Sequence, residues 1–429
     1  MTTRVVVLGS GGREHALAWS LDRSPHVDEI IGAPGNPGMA GLGECLPVQV
    51  DDPSAVVALA DAVDADLVVI GPDAPVVAGV ADALAEAGRR AFGPSAAAAR
   101  LEGSKAWMKE VVTAAGVPTA RYQVFSEGDD RQARAFLETL PGTYVIKTDG
   151  LAAGKGVVVT QSIDEAFATV RAYLAGEAFG DAGRVCVIEE GLTGSEISIF
   201  AFSDGTRAQL FGVAQDHKRA FDGDRGPNTG GMGAYSPVPF VSDDLLGGVI
   251  ERIVQPTLAE LRGRGLEYRG VLYCGLMLTA DGPKLLEYNV RFGDPECQAM
   301  VPLLSSDLYV HCQEVADGFI ETPVELSSDA CVAVTLAAEG YPPAPNRRGD
   351  IITGVDKAAM RDGVVVFHAG TERTDGELAT NGGRVLTLTG VASTIRDARD
   401  RVYDAVGDIS WPGLHYRRDI AAQALTDVT

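Results

Sequence analysis

The first 95 residues of the chain alternate short β-branched runs with stretches whose apolar residues recur at helical spacing. Strands that alternate with helices in this way predict a parallel sheet, because each helix returns the chain to the same end of the sheet. Ser95 is expected to cap a further helix that continues through residues 105–112. The predicted strands are 4–8, 29–31, 47–50, 67–70 and 90–92, and the predicted helices are 13–22, 54–63 and 76–88. We therefore predict a Rossmann-like domain over residues 1–103.

After Pro118 the strands and helices no longer alternate regularly, which is typical of an α+β domain. Residues 215–239 show almost no periodicity and many glycines, and so long an aperiodic stretch inside a domain is usually functional. The predicted strands are 145–147, 156–160, 184–189, 196–202, 210–214, 270–278 and 284–289, and the predicted helices are 163–174 and 244–262. We predict a second domain over residues 104–328, with a lid subdomain over about 120–192.

A third region begins after Asp329 and is again rich in predicted strands. These strands are 331–337, 350–353, 364–369 and 384–390, and one helix over 394–409 follows them. We predict a strand-rich domain over residues 329–429. The expected fold class is thus a multidomain protein of α/β and α+β type, with a Rossmann-like parallel sheet at the N-terminus.

Charge and cysteine usage exclude several classes of function. The net charge of −23 opposes binding to nucleic acids and to anionic membranes, and no run of about 18 apolar residues exists. The N-terminal apolar run is too short for a signal peptide. The six cysteines have no metal-type spacing, so we expect reduced, mostly buried thiols and a soluble, cytoplasmic protein without a zinc site.

A glycine turn after the first predicted strand suggests a dinucleotide site. It contains Gly9, Gly11 and Gly12, but Glu14 stands where the fingerprint requires a third glycine, and no acid ends the second strand. NAD binding is therefore disfavoured. Two alternatives stay open, an anion site at the helix N-terminus and a tight turn without a ligand.

A second glycine-rich loop links two predicted strands over residues 144–160. It contains Gly150, Gly154, Lys155 and Gly156, but the spacing is too short for a P-loop, and a strand follows instead of a helix. A glycine hairpin of this kind can close over nucleotide phosphates. Lys147 on the entering strand and Lys105 on the preceding helix are candidate phosphate ligands, although each alone could be a solvated surface residue.

Two further segments complete the predicted ATP site. The strand ending at Glu189, Glu190 and Leu192 is typical of a linker whose backbone contacts adenine, and Glu196 could accept ribose hydroxyls; an ordinary acidic strand edge is the alternative. Glu287, Asn289 and Arg291 alternate along one strand and so share a face. Their oxygens suit Mg²⁺ and their guanidinium suits an anion, and a structural salt-bridge cluster is the alternative.

In this order, the elements resemble the ATP-grasp superfamily, and the chain is closely similar to its phosphoribosylamine–glycine ligase family. The segments that carry the similarity are 11–19, 33–38, 101–105, 149–157, 216–219, 226–237, 291–296 and 381–385. The resemblance implies a central ATP-grasp domain. It also implies ATP-dependent ligation of glycine to 5-phosphoribosylamine through glycyl phosphate in purine biosynthesis, with ADP and phosphate as products and Mg²⁺ or Mn²⁺ as the metal.

The resemblance further implies roles for individual residues. Catalytic roles fall to Arg291, Lys147, Asp216 and Lys218, and the metal ligands are Glu287 and Asn289. Arg291 would hold the glycine carboxylate and then the acyl phosphate. The substrate-binding residues would be Gly9, Gly11, Gly12, Arg13, Glu14, Asp73, Asp216, His217, Lys218, Arg291 and Asp294. We expect a monomer. The one protein partner that the resemblance suggests is the enzyme that supplies phosphoribosylamine, in a transient contact.

Three other functions compete with this one. A ligase of the same superfamily could use another acid, such as bicarbonate or formate, and only a substrate assay separates the two. A non-catalytic nucleotide sensor is disfavoured because Glu287, Asn289, Arg291 and both lysines are present. A dehydrogenase is disfavoured by Glu14.

Overall fold

The computed structural model of the chain describes residues 2–150, 156–178, 184–342 and 346–425. The N-terminal elements are β1 (Arg4–Gly9), α1 (Gly12–Leu21), β2 (Glu29–Pro34), β3 (Glu44–Cys45), α2 (Pro53–Ala62), β4 (Leu67–Ile70), α3 (Asp73–Val77), α4 (Val80–Glu86), β5 (Ala91–Phe92), α5 (Ala96–Gly103) and α6 (Lys105–Ala114). The strands form a parallel sheet in the order β3-β2-β1-β4-β5. This confirms the predicted parallel sheet.

Three local predictions in this region were wrong. Residues 47–50 are not a strand, and the short strand β3 precedes them. The helix predicted over 76–88 is two helices, because Gly79 has φ +86°, a left-handed conformation that ends α3. The helix that was to continue from Ser95 breaks at Ser104, whose extended backbone and hydroxyl cap α6 at Trp107 N.

The next elements form a separate sheet in the region predicted as a lid, and we call it the lid sheet. They are β6 (Tyr122–Ser126), α7 (Asp130–Leu137), β7 (Tyr144–Thr148), β8 (Val157–Thr160), α8 (Ile163–Leu174) and β9 (Val185–Glu190), and the sheet order is β6-β9-β7-β8. Strands β7 and β8 pair antiparallel, with Lys147 opposite Val157, which confirms the predicted hairpin. Helices α7 and α8 pack against each other over a small separate core around Phe125, Ile146 and Val170.

The central region supplies the long antiparallel strands behind the cavity described below. Its elements are β10 (Ser195–Asp204), β11 (Ala208–Asp216), β12 (Arg219–Phe221), β13 (Arg225–Asn228), β14 (Gly233–Ser236), α9 (Asp243–Val249), α10 (Gln255–Gly263), β15 (Arg269–Thr279), β16 (Gly282–Asn289), α11 (Glu296–Met300) and α12 (Leu308–Asp317). A π-helical turn, Ile250–Val254, joins α9 to α10.

The aperiodic stretch predicted over residues 215–239 is in fact ordered into strands. It contains the small hairpin of β12 and β13, and then β14, which pairs with β11. These strands are only three or four residues long, so no alternation of apolar and polar residues could reveal them.

The C-terminal elements are β17 (Ala330–Ala337), α13 (Val355–Ala359), β18 (Val364–His368), β19 (Thr371–Thr374), β20 (Glu377–Thr380), β21 (Arg384–Ala392) and α14 (Ile395–Val406). Strand β14 pairs with β17, so one sheet runs in the order β16-β15-β10-β11-β14-β17-β21-β18 through the central and C-terminal regions. The strand predicted over 350–353 is reduced to isolated bridges at Ile351 and Thr353, and the β19–β20 hairpin was not predicted. The domain boundaries themselves stay a prediction.

The cysteines are free and mostly buried, as the sequence predicts. All six cysteines are free, and all but the half-buried Cys45 are buried. In the described part of the chain, no helix combines the length and the apolar character needed to cross a membrane.

Candidate active site

A cavity of about 600 Å³ lies where the lid sheet, helices α5 and α6 and the central sheet meet. Most of the predicted site residues line it: Arg13, Asp73, Lys105, Lys147, Gly156, Glu189, Glu190, Leu192, Glu196, Asp216, Lys218, Glu287, Asn289, Arg291 and Asp294. Gly154 and Lys155 lie outside the described residues. Of the predicted residues that are described, Gly9, Gly11, Gly12, Glu14 and His217 do not line the cavity.

A buried charge cluster stands at the junction of the lid with the body. Lys147 Nζ lies 3.0 Å from the Glu189 carboxylate and donates a hydrogen bond to Leu286 O on β16 at 3.1 Å. Lys109 Nζ, from α6, lies 3.1 Å from the other oxygen of Glu189, and burial lowers the pKa of Lys109 to about 8. Lys109 received no role from the sequence, where its only signal is its position one helical turn after Lys105.

Lys105 occupies the first position of α6 and lines the cavity. Its Nζ donates to Gly150 O at 2.9 Å, at the loop entrance. Burial lowers the pKa of Lys105, an effect that neighbouring Lys147 strengthens and Glu287 opposes. The ammonium is therefore largely withdrawn from water and placed beside the second lysine.

Strand β16 carries the predicted metal ligands on one face. Glu287 and Asn289 both line the cavity, as do Leu286 and Tyr288 between and beside them, where the register of β16 against β15 shifts. Burial opposes the charge of Glu287, but three lysines and Arg291 nearby lower its pKa below the ordinary value. A charged carboxylate beside an amide oxygen fits a hard divalent cation that takes its other ligands from phosphate and water. Among the described residues, no three His, Cys, Asp or Glu side chains form a complete protein cage.

Arg291 is held by three oxygen atoms. Its Nη2 donates to Glu102 Oε1 at 2.8 Å and to Asn289 Oδ1 at 3.0 Å, and its Nη1 donates to Phe292 O at 3.2 Å. Burial opposes the guanidinium charge, but Glu102 and Asp73 raise the pKa of Arg291. Glu102 lies within the segment 101–105 that carried the family resemblance, yet it received no role from the sequence.

Charged side chains at and after the end of β11 form a second cluster in the cavity wall. Lys218 forms an ion pair with Glu196 and lies 4.0 Å from Asp216. Burial raises the pKa of Asp216 to about 8, although Lys218 opposes the shift. His217 points to the other side, where its Nε2 lies 3.1 Å from Gln423 Oε1 and burial lowers its pKa to about 4. His217 therefore does not line this cavity, because neighbouring residues on an extended chain face opposite sides, and its predicted substrate contact stays a prediction.

A buried hydrogen-bond network supports this wall of the cavity. Tyr273 OH donates to Glu296 Oε1 at 2.9 Å and accepts from Ser198 Oγ at 2.8 Å. Tyr273 and Glu296 both line the cavity. Neither residue received a role from the sequence, although Glu296 ends the segment 291–296 that carried the resemblance.

The N-terminal glycine turn has a structural explanation. Glu14 Oε2 accepts from Gly11 N at 2.7 Å, and Glu14 Oε1 accepts from Arg13 Nε at 2.5 Å. A Cβ at Gly9 would lie 2.5 Å from Glu14 Cγ, so that glycine makes room for the carboxylate. Glu14 and these glycines therefore do not line the cavity, whereas Arg13 does, and their predicted substrate contacts stay a prediction.

An arginine from the C-terminal region completes the lining. Arg384 Nη2 lies 3.0 Å from Asp294 Oδ2, and Arg384 Nη1 donates to Gly230 O at 2.9 Å. Arg384 lies in the segment 381–385 that carried the resemblance but received no role from the sequence. Arg13, Arg291 and Arg384 therefore bring three guanidinium groups to one cavity.

Comparison with known proteins agrees with this architecture. The chain matches the phosphoribosylglycinamide synthetase N domain over residues 3–102, its ATP-grasp (A) domain over residues 103–297 and its C domain over residues 331–423. Two relatives named phosphoribosylamine–glycine ligase, from Mesorhizobium japonicum and Caulobacter vibrioides, are 47% and 49% identical over 98% of each chain.

The fold also matches that of a solved structure. A crystal structure of phosphoribosylamine–glycine ligase from Thermotoga maritima matches with a TM-score of 0.86 at 36% identity, and the match covers 98% of this chain and 100% of that one. The resemblance predicted from sequence, and with it the α/β and α+β fold class, is confirmed. The chain belongs to the phosphoribosylglycinamide synthetase family and is an ATP-grasp ligase of purine biosynthesis.

Proposed function

We propose that the cavity joins glycine to 5-phosphoribosylamine at the expense of ATP, with a separate group of side chains for each substrate. One observation carries the proposal: lysines of the lid and body, the acid–amide pair of β16 and three arginines all line one cavity. The reaction brings together a carboxylate, a triphosphate and a ribose phosphate, which are all anions. In a protein with a net charge of −23, these local cations must provide the neutralisation.

ATP is assigned to the side of the cavity formed by the lid. Lys105 and Lys147 suit its phosphates, together with Gly154, Lys155 and Gly156 of the glycine loop. Because the Glu189 carboxylate is occupied by two lysines, we assign the adenine edge to the backbone of residues 189–192 and not to that carboxylate. Apolar side chains of the lining suit the flat faces of the base: Met108, Val145, Val157, Met277 and Leu286.

Glu287 and Asn289 are assigned to a divalent cation, Mg²⁺ or Mn²⁺. Both are hard oxygen donors, and the lowered pKa of Glu287 keeps its carboxylate charged. When bound, the cation supplies positive charge to the phosphate oxygens.

Glycine is assigned to Arg291, whose planar guanidinium matches a carboxylate. A glycine oxygen attacks the γ-phosphorus, the bond to the β-phosphate oxygen breaks and ADP leaves, which gives glycyl phosphate. The amine nitrogen of phosphoribosylamine then attacks the acyl carbon, phosphate leaves and the nitrogen loses a proton. Arg291 is placed to follow the carboxylate into the acyl phosphate, because both present paired oxygens.

Phosphoribosylamine is assigned to the side of the cavity that faces the N- and C-terminal regions. Arg13 and Arg384 suit its phosphate, and Asp73 and Asp294 suit its hydroxyls. Asp216, with a pKa of about 8, can exchange a proton with the attacking amine near neutral pH, and Lys218 lies beside it.

The organisation of the chain belongs to the same proposal. We place domain boundaries at 103/104 and 328/329, with a lid over about 120–192. We also expect a cytoplasmic monomer, with at most a transient contact to the enzyme that supplies phosphoribosylamine.

The test is an assay of ADP release in which glycine, phosphoribosylamine and the metal are each omitted in turn. We expect full release only with all of them present, and bicarbonate or formate in place of glycine should give none. Release that is independent of glycine, or stimulated by another acid, would refute the proposed substrates. Tight binding of NADH would instead revive the dehydrogenase alternative.

A further inference from the structure

Glu102 and Arg291 meet in the cavity wall although they are 189 positions apart in sequence. Glu102 lies in the last turn of α5, and Arg291 follows β16. Glu102 Oε1 accepts from Arg291 Nη2 at 2.8 Å, and Glu102 Oε2 accepts from Val290 N at 2.8 Å. The two side chains are 8% and 18% exposed, so solvent screens the pair weakly.

Each oxygen of Glu102 fixes a different part of the Arg291 segment. One holds the tip of the guanidinium, and the other holds the backbone of the preceding residue. An arginine side chain has four rotatable bonds, and the contact at the guanidinium restricts their freedom. Arg291 Nε is buried and has no hydrogen-bond partner among the described residues.

The other carboxylates near Arg291 show what Glu102 prevents. The charge of Arg291 contributes to the lowered pKa of both Glu287 and Asp294, so either could attract the guanidinium. A guanidinium that turned to Glu287 would compete with the metal for that carboxylate. It would also withdraw its positive charge from an incoming carboxylate.

We propose that Glu102 is a positioning residue for glycine, which acts by holding Arg291 in the orientation that receives the glycine carboxylate. This inference rests on the proposed role of Arg291. Loss of the orientation of Arg291 and loss of the charge of Glu102 predict opposite changes in glycine binding, so the inference is testable. Removing the negative charge of Glu102 would by charge alone strengthen binding of an anion, whereas loss of orientation weakens it.

The first test is the Glu102→Gln variant, whose side-chain oxygen can still accept from Val290 N. We expect its KM for glycine to rise about tenfold, because misplacement of a binding group by a fraction of an ångström is costly. Its KM for ATP should stay within about twofold. An unchanged or lowered KM for glycine would overturn the inference.

Two further variants guard against a merely structural effect. Glu102→Asp keeps the charge but is too short to reach both Arg291 and Val290, so its KM for glycine should also rise while its KM for ATP does not. Glu314→Gln is the matched control, because Glu314 also accepts backbone hydrogen bonds, from Glu321 N and Thr322 N, but does not line the cavity. Its KM for glycine should equal that of the wild type.

A double-mutant cycle shows whether Glu102 acts through Arg291. In an Arg291→Met background, Glu102→Gln should leave the KM for glycine unchanged. A further tenfold rise in that background would contradict the inference while leaving the proposed function intact. If the unmodified enzyme shows no glycine-dependent ADP release, the proposed function itself fails, and the inference fails with it.

Discussion

The Lys147 ammonium lies 3.0 Å from the Glu189 carboxylate, and the pair joins neighbouring strands of the lid sheet inside the cavity wall. Lys109 reaches the same carboxylate from helix α6 at 3.1 Å. All three side chains are buried. Glu189 is therefore the shared counter-charge of two lysines, one in the lid and one in the body, and fixes the lysine assigned to the ATP phosphates.

Glu189→Gln should destabilise the protein by about 3–5 kcal/mol, because it leaves two buried lysines without their counter-charge. The free energy of unfolding in urea measures this effect. Glu138→Gln is the control, since Glu138 pairs with Arg134 on the lid surface and should cost no more than about 1 kcal/mol. Equal losses for the two variants would show that the buried cluster contributes little.

Glu287→Gln should weaken binding of Mn²⁺ in the presence of ATP by more than about tenfold, because an amide replaces the charged ligand. Titration of Mn²⁺ followed by electron paramagnetic resonance measures the affinity without any turnover. Lys284→Gln on the same strand is the control, and its affinity should match the wild type. Undiminished Mn²⁺ binding by Glu287→Gln would contradict the metal assignment.

Asp216 should make the stability of the protein fall as the pH rises. Burial raises its pKa from 3.8 to about 8, so between these values the folded protein binds a proton that the unfolded chain has lost. The stabilisation is complete below 3.8 and is lost as the pH rises toward 8, by at most about 1.4 kcal/mol per pH unit.

The Asp216→Asn variant should lack this slope, so its stability relative to the wild type should increase from pH 4 to pH 8. Urea unfolding at several pH values checks the prediction, with the exposed Asp244→Asn as the control. Parallel curves for Asp216→Asn and the wild type would show that burial does not shift this carboxyl group.

Arg384→Gln should raise the KM for phosphoribosylamine about tenfold, because a hydrogen bond to a charged group contributes about 1.5–3 kcal/mol. The KM for ATP should not change. Steady-state kinetics with freshly prepared phosphoribosylamine measure both constants, and Arg373→Gln, an exposed arginine of β19, is the control. A rise in the KM for ATP alone would place Arg384 with the nucleotide.

Alternation along strands was the basis for predicting several residues of the site. Residues 287, 289 and 291 are expected on one face and all line the cavity, but Leu286 and Tyr288 line it as well and Arg291 follows the end of β16, so alternation alone does not account for their placement. The same rule separates His217 from Asp216 and Lys218, but it could not be applied where residues 215–239 showed no strand pattern. Local periodicity therefore predicts a side chain's direction only within a recognised strand.

Contacts between side chains that are far apart along the chain could not be predicted from the sequence. Glu102 meets a residue 189 positions away, and Arg384 donates to Asp294 O, 90 positions away. No local pattern encodes such pairs, because they arise from the packing of α5 and β21 around the cavity. Both residues lay in segments that carried the family resemblance, which marked the segments without assigning the side chains.

Transfer of ¹⁸O from the glycine carboxylate to phosphate tests the acyl phosphate chemistry most directly. Glycine labelled in both carboxylate oxygens is incubated with ATP and phosphoribosylamine, and the released phosphate is analysed by mass spectrometry. Attack of the carboxylate on the γ-phosphorus, followed by displacement of phosphate from the acyl carbon, predicts one ¹⁸O atom in each phosphate. Unlabelled phosphate, released in step with the ligated product, would contradict activation of glycine in this cavity.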